Sequence, residues 1–146
     1  MQKILSLSFA FYFIFGCQTP LGYFITDSNL IISESRKAIT AVIGKPRVVS
    51  ENGRELISEY HDIKFKTIDP ELKPTIRYFT SATILGARRP YEINIQVVQQ
   101  SFENESGSYI STGLDEGLTI KRAKEIKKAH NYSLEKQQKF DGDNPF

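Results

Sequence analysis

Residues 75–102 read TIRYFTSATILGARRPYEINIQVVQQSF, and they decide the fold. In the second half, Tyr91, Ile93, Ile95 and Val97 alternate with Glu92, Asn94 and Gln96. That period of two marks a strand with one face buried and one face wet. In the first half, residues 75–85 place Ile76, Tyr78, Ala82 and Ile84 on one face. Gly86, Arg88, Arg89 and Pro90 turn the chain between the two. Strands joined by so short a turn pair antiparallel. The apolar face they share must then be covered by something else in the chain.

Further strands flank this pair. Residues 104–107 turn, and 108–112 can return as a short strand. Upstream lies a proline-punctuated loop at 69–74. Before it, 55–65 is a strand candidate with Ile57, His61, Ile63 and Phe65 on one parity. Asn52-Gly53 is a strong hairpin signal and joins that segment to the β-branched residues 47–50. A short strand is also expected at 23–26.

Two helices supply the cover. Residues 33–44 begin at Ser33, an N-cap residue type, with Glu34 at the positive end of the helix dipole. Ala38, Ile39, Ala41, Val42 and Ile43 give a packing face, and Gly44 and Pro46 form a stop signal. The second helix covers 116–139, with Leu118, Ile120, Ala123, Ile126 and Ala129 as its apolar stripe. The expected class is α+β: an antiparallel β-meander of about four strands with an N-terminal and a C-terminal helix packed on one face. The expected organisation is a leader at 1–16, a tether and short strand at 17–29, one domain at 30–139 and a flexible tail at 140–146.

The chain has 146 residues, 40% apolar and 25% charged, which suits one globular domain. Its net charge of +2 selects no class of partner. One cysteine excludes an intramolecular disulfide. The first residues differ in kind. Lys3 is followed by an apolar run over 4–15 broken only by Ser6 and Ser8, then by Gly16, Cys17, Gln18, Thr19 and Pro20. A positive start, a short apolar stretch and a small residue before the cut are the parts of a secretory signal peptide. The run is shorter than the roughly 20 residues of a standard membrane-spanning helix.

Ile14-Phe15-Gly16-Cys17 resembles the lipobox of bacterial lipoproteins. Gly16 and Cys17 match that pattern, Ile14 stands where leucine is commoner, and Phe15 stands where a small or β-branched residue is usual. The resemblance implies that the Cys17 thiol carries diacylglycerol, that the bond before it is cut, and that the new amino terminus is acylated. Several acyl chains hold a protein firmly where one holds weakly, at roughly 0.8 kcal/mol per buried methylene. Gln18 in place of Asp implies sorting to the outer membrane, on its periplasmic face or exposed at the surface.

Basic residues are the other candidate site. Lys121, Arg122, Lys124, Lys127 and Lys128, followed by Lys136 and Lys139, face only Glu125 and Glu135 between Leu118 and Lys139. Such a helix can lie on anionic headgroups or bind an acidic partner, or it can simply be a solvated face. Arg88 and Arg89 at the hairpin tip can grip an anion or keep a sheet edge soluble. His61 and His130 lack companions for metal or acid–base chemistry, and His61 and Asp62 point to opposite faces of a strand. No nucleophile elbow or glycine-rich phosphate loop occurs. The expectation is therefore a non-enzymatic accessory or structural subunit of an envelope assembly, without cofactor or nucleic acid. Its partners would be the membrane, through the lipid on Cys17, and an envelope protein. The order of helix, strands and helix after a lipid anchor is similar to small outer-membrane lipoproteins that support β-barrel assembly or lipopolysaccharide export. The alternative is a module that binds a small lipid or glycan between sheet and helix. A wide apolar cavity favours the module, whereas a filled core with an exposed edge favours the subunit.

Overall fold

The structure, a computed structural model, describes residues 22–69 and 71–143. Cys17 and the leader lie outside the described residues. In chain order the elements are β1 (Tyr23–Ser28), α1 (Ile32–Ile43), β2 (Val48–Val49), β3 (Glu55–Ile57), β4 (Ile76–Leu85), β5 (Tyr91–Glu103), β6 (Ser108–Leu114) and α2 (Glu116–Asp143). The fold is α+β: six antiparallel strands and two helices. The order is β1-β5-β4-β3-β2, and β6 also pairs with β5. β5 has 13 residues, long enough to serve both: β1 pairs along Tyr91 to Ile95, and β6 along Val98 to Glu103.

The register of the central pair explains the core. Ile84 faces Ile93, Ala82 faces Ile95 and Thr80 faces Val97, and all six are buried. Their neighbours Ser81, Thr83, Asn94 and Gln96 occupy the opposite, half-exposed face. Ile25, Ile39, Leu56, Ala123 and Ile126 complete the core against this sheet. Each buried isoleucine, leucine or valine among them contributes about 1.5–3 kcal/mol of burial free energy. Ile76 was expected in this row but is 45% exposed, because it lies at the far end of β4. Thr80 is buried within the row instead, its hydroxyl bonded to His61 Nε2 at 3.1 Å.

Three expectations at element ends are corrected. Only Glu55–Ile57 of the 55–65 candidate is a strand. Asp62 bends the chain: its Oδ1 accepts from the N–H groups of Lys64 and Lys66, and Phe65 takes a φ of 63°. Ser33 is not the N-cap. The cap is Ile31, two positions earlier, which makes no side-chain cap bond and directly follows the fully buried Leu30. Helix α2 continues to Asp143, through the start of the stretch read as a tail.

The stop and turn signals are found where they were read. Gly44, at φ 76°, ends α1 with its N–H bonded to Thr40 O. The β2–β3 hairpin turns through Asn52 and Gly53, and Asn52 Oδ1 accepts from Ser50 Oγ and Arg54 N–H. Helix α2 is capped by Asp115, whose Oδ1 accepts from Leu118 N–H at 2.8 Å. Thr119 then accepts from Val97 N–H at 2.9 Å and fastens the start of α2 to β5.

Candidate functional site

Helix α2 buries Thr119, Arg122, Ala123, Ile126 and His130, a spacing of three and four that defines its core face. Ile120, expected in the apolar stripe, is 37% exposed, and Leu118 is half-buried. The remaining surface of the helix carries the charge. Lys121, Lys124, Lys127, Lys128, Lys136 and Lys139 are all exposed.

Arg122 does not belong to that basic surface, contrary to the sequence reading. It is 5% exposed and lies on the core face. Its Nη1 donates to Val42 O at 3.2 Å and to Glu125 Oε2 at 3.0 Å, and its Cζ sits 3.6 Å from the Phe65 ring centroid. Val42 carries one of the carbonyls left without an intrahelical partner at the end of α1, so Arg122 caps α1 from α2. Burial lowers its pKa, and the Glu125 carboxylate opposes that shift. A planar fork stacked on a ring can be held inside as a compact ammonium cannot. Phe65 reaches it from the Asp62 turn, where its backbone is left-handed.

Arg88 and Arg89 are exposed at the β4–β5 tip, and Arg89 Nη1 donates to Asn29 O at 3.3 Å. The structure does not unite them with the first turns of α2. Lys121 Nζ lies 5.4 Å from the Phe65 ring, beside His61, which pairs with Tyr78. From Tyr78 to Leu85, along β4, is about 23 Å at the rise of an extended strand. The two basic groups therefore mark opposite ends of the sheet.

Both histidines serve the interior. His61 Nδ1 must donate to Asp62 O at 2.9 Å, because a carbonyl only accepts, so Nε2 accepts from the Thr80 hydroxyl. His130 Nε2 lies 2.7 Å from Ser28 Oγ, and the Asn131 side chain lies beside the ring. Burial lowers both histidine pKa values. Among the described residues, no three His, Cys, Asp or Glu gather to hold a metal.

A feature not foreseen from the sequence is a groove of about 790 Å³ between α1 and the second half of α2. Ala38, Ala41 and Ala129 line it with small side chains, together with Tyr132, Lys136 and Lys139. Its signal in the sequence was the run of small residues on facing helix stripes. The groove is open and lies between helices, not between sheet and helix. No helix among the described residues is long and apolar enough to cross a membrane. No family model, no curated protein and no solved structure matches the chain.

Proposed function

We propose that the chain is a lipid-anchored accessory protein of the bacterial cell envelope, non-enzymatic, held by Cys17 at the periplasmic face of the outer membrane. In this reading it docks through the lysine face of α2. One observation carries the reading. The Arg122–Glu125 pair at 3.0 Å withdraws one charge of each sign, so between Lys121 and Lys139 six exposed lysines face Glu135 alone. A tether at Cys17 would keep that face near anionic headgroups and envelope proteins, where each lysine adds roughly 1 kcal/mol within a Debye length. The filled core, together with Val48 and Val49 exposed on the edge strand β2, supports a role in protein contact.

Replacing Cys17 tests the anchor. Cys17→Ser should abolish lipid labelling and release the domain from membranes; a variant that stays membrane-bound at unchanged mass overturns the assignment. Crosslinking and pull-down from membranes then reads the partner. The groove between α1 and α2 favours a second reading, binding of a small lipid. Ala41→Trp, which would fill the groove, should abolish binding of a fluorescent fatty acid if that reading holds.

A further inference from the structure

The face of the sheet turned away from both helices carries a stack of cations and rings. Arg47 precedes β2, Tyr60 follows β3, Arg77 lies on β4 and Tyr109 on β6, so the four side chains cross the sheet in that order. Arg77 Cζ sits 3.5 Å from the ring centroids of both Tyr60 and Tyr109. Arg47 Cζ sits 4.4 Å from the same Tyr60 ring. Gln100 Oε1 accepts from Arg77 Nε at 2.8 Å, and the Tyr109 hydroxyl donates to Pro74 O at 2.6 Å. Tyr60 is buttressed edge-on by Phe79, and Tyr109 by Phe102.

This arrangement fixes Arg77 before any ligand arrives. Rings cover both flanks of the guanidinium and Gln100 takes its Nε edge, which leaves the Nη donors for another group. Among the described residues neither Arg47 nor Arg77 has a carboxylate within ion-pair distance; the two ion pairs there are Lys37–Glu34 and Arg122–Glu125. Two cations thus share one ring with no counter-charge. A flank-stacked guanidinium still offers its edge for planar hydrogen bonding to an oxyanion. A carboxylate fills the fork of one arginine, whereas a tetrahedral dianion has oxygens for two.

We propose that Arg77 and Arg47 form a binding site for a phosphomonoester on the open face of the sheet. Arg77 is the fixed donor, and Arg47, more exposed at the edge, is the second. The group could be presented by a soluble phosphate ester or by a lipid headgroup, and the two sources separate in the test. The proposal does not depend on the lysine face of α2.

The full-length chain in a non-ionic detergent is titrated with glycerol 3-phosphate, with inorganic phosphate and with acetate, by calorimetry. A second arm measures flotation of the Cys17→Ser chain with Lys124, Lys127 and Lys128 also changed to Gln, which removes lipid and lysine adsorption, on phosphatidylcholine vesicles with or without phosphatidic acid. Saturable binding of phosphate and its ester, stronger than that of acetate, is expected. Arg77→Gln should weaken it about tenfold or more, the scale of one charged hydrogen bond. Arg77→Lys should weaken it similarly, because a lysine keeps the charge and loses the fork. Arg47→Gln should show a smaller loss, and it serves as the test if Arg77 variants fail to fold. Lys124, Lys127 and Lys128 changed together to Gln should leave the soluble ester bound as before. A response to phosphatidic acid alone, lost in Arg77→Gln, assigns the headgroup source. Absence of phosphate binding in both arms, equal affinity for acetate, or binding indifferent to both arginines overturns the proposal.

Discussion

Ser28 Oγ and His130 Nε2 lie 2.7 Å apart, fully inside the protein, and join β1 to α2 across 102 positions of sequence. Both residues are buried, at 0% and 2% exposure. The contact fastens the edge strand nearest the expected tether to the longest helix. His130→Ala should strand the Ser28 hydroxyl and open a cavity, costing about 2 kcal/mol in urea unfolding. Ser28→Ala removes a smaller group and should cost less.

The same histidine makes stability depend on pH, together with His61. Burial lowers both pKa values from the ordinary 6.5, so the folded protein resists protonating them. Below pH 6.5 the unfolded chain binds more protons at these two sites than the folded chain does. Stability from these groups is therefore complete above that pH and lost as pH falls below it. Thermal melts from pH 8 to 5 should show a falling Tm that starts near 6.5. His130→Gln should flatten part of that fall. A slope unchanged in both His61→Gln and His130→Gln would refute the assignment.

Ile95 and Gln96 test the face assignment, since they are neighbours on β5 with opposite fates. Ile95 is fully buried opposite Ala82, and Gln96 is half-exposed opposite Ser81. Ile95→Asp should cost more than about 4 kcal/mol, enough to unfold a domain of ordinary stability. Gln96→Asp should be mild. Circular dichroism of the two variants reads the difference.

The central strands, the hairpin and the stop of α1 were legible because their signals are local. Alternation from Tyr91 to Val97, the Asn52-Gly53 dipeptide, and Gly44 before Pro46 each act within a few residues. What was not legible depends on partners far along the chain. Arg122 looks like one more cation in a basic run; only Phe65, Val42 and Glu125 show that it is interior. The strand expected through Phe65 fails because the Asp62 carboxylate offers two backbone N–H groups a better acceptor. Tyr60, Arg77 and Tyr109 come from three separate segments, and no periodicity links them. Sharing of one β5 edge by β1 and β6 is likewise a tertiary fact, made available by the length of β5.

Arg122 and the lysines around it should separate cleanly under mutation. Arg122→Gln removes the cap on Val42 O and the stack on Phe65, and should cost about 2 kcal/mol of stability. Exposed lysines contribute little to folding, so Lys124, Lys127 and Lys128 changed together to Gln should leave Tm nearly unchanged. Binding should respond to the two changes in the opposite way. The full-length Cys17→Ser chain, which lacks the lipid, should adsorb to anionic vesicles at low salt and release as ionic strength approaches the physiological range, where screening acts within about 8 Å. The triple lysine variant should lose this adsorption. Arg122→Gln should retain most of it at temperatures below its own melt, because it removes no exposed lysine and frees only the single Glu125 carboxylate. Adsorption that survives the triple variant would place the contact elsewhere than on α2. Adsorption that vanishes in folded Arg122→Gln would mean that the buried arginine orients the lysine face, and that interior and surface of α2 act as one unit.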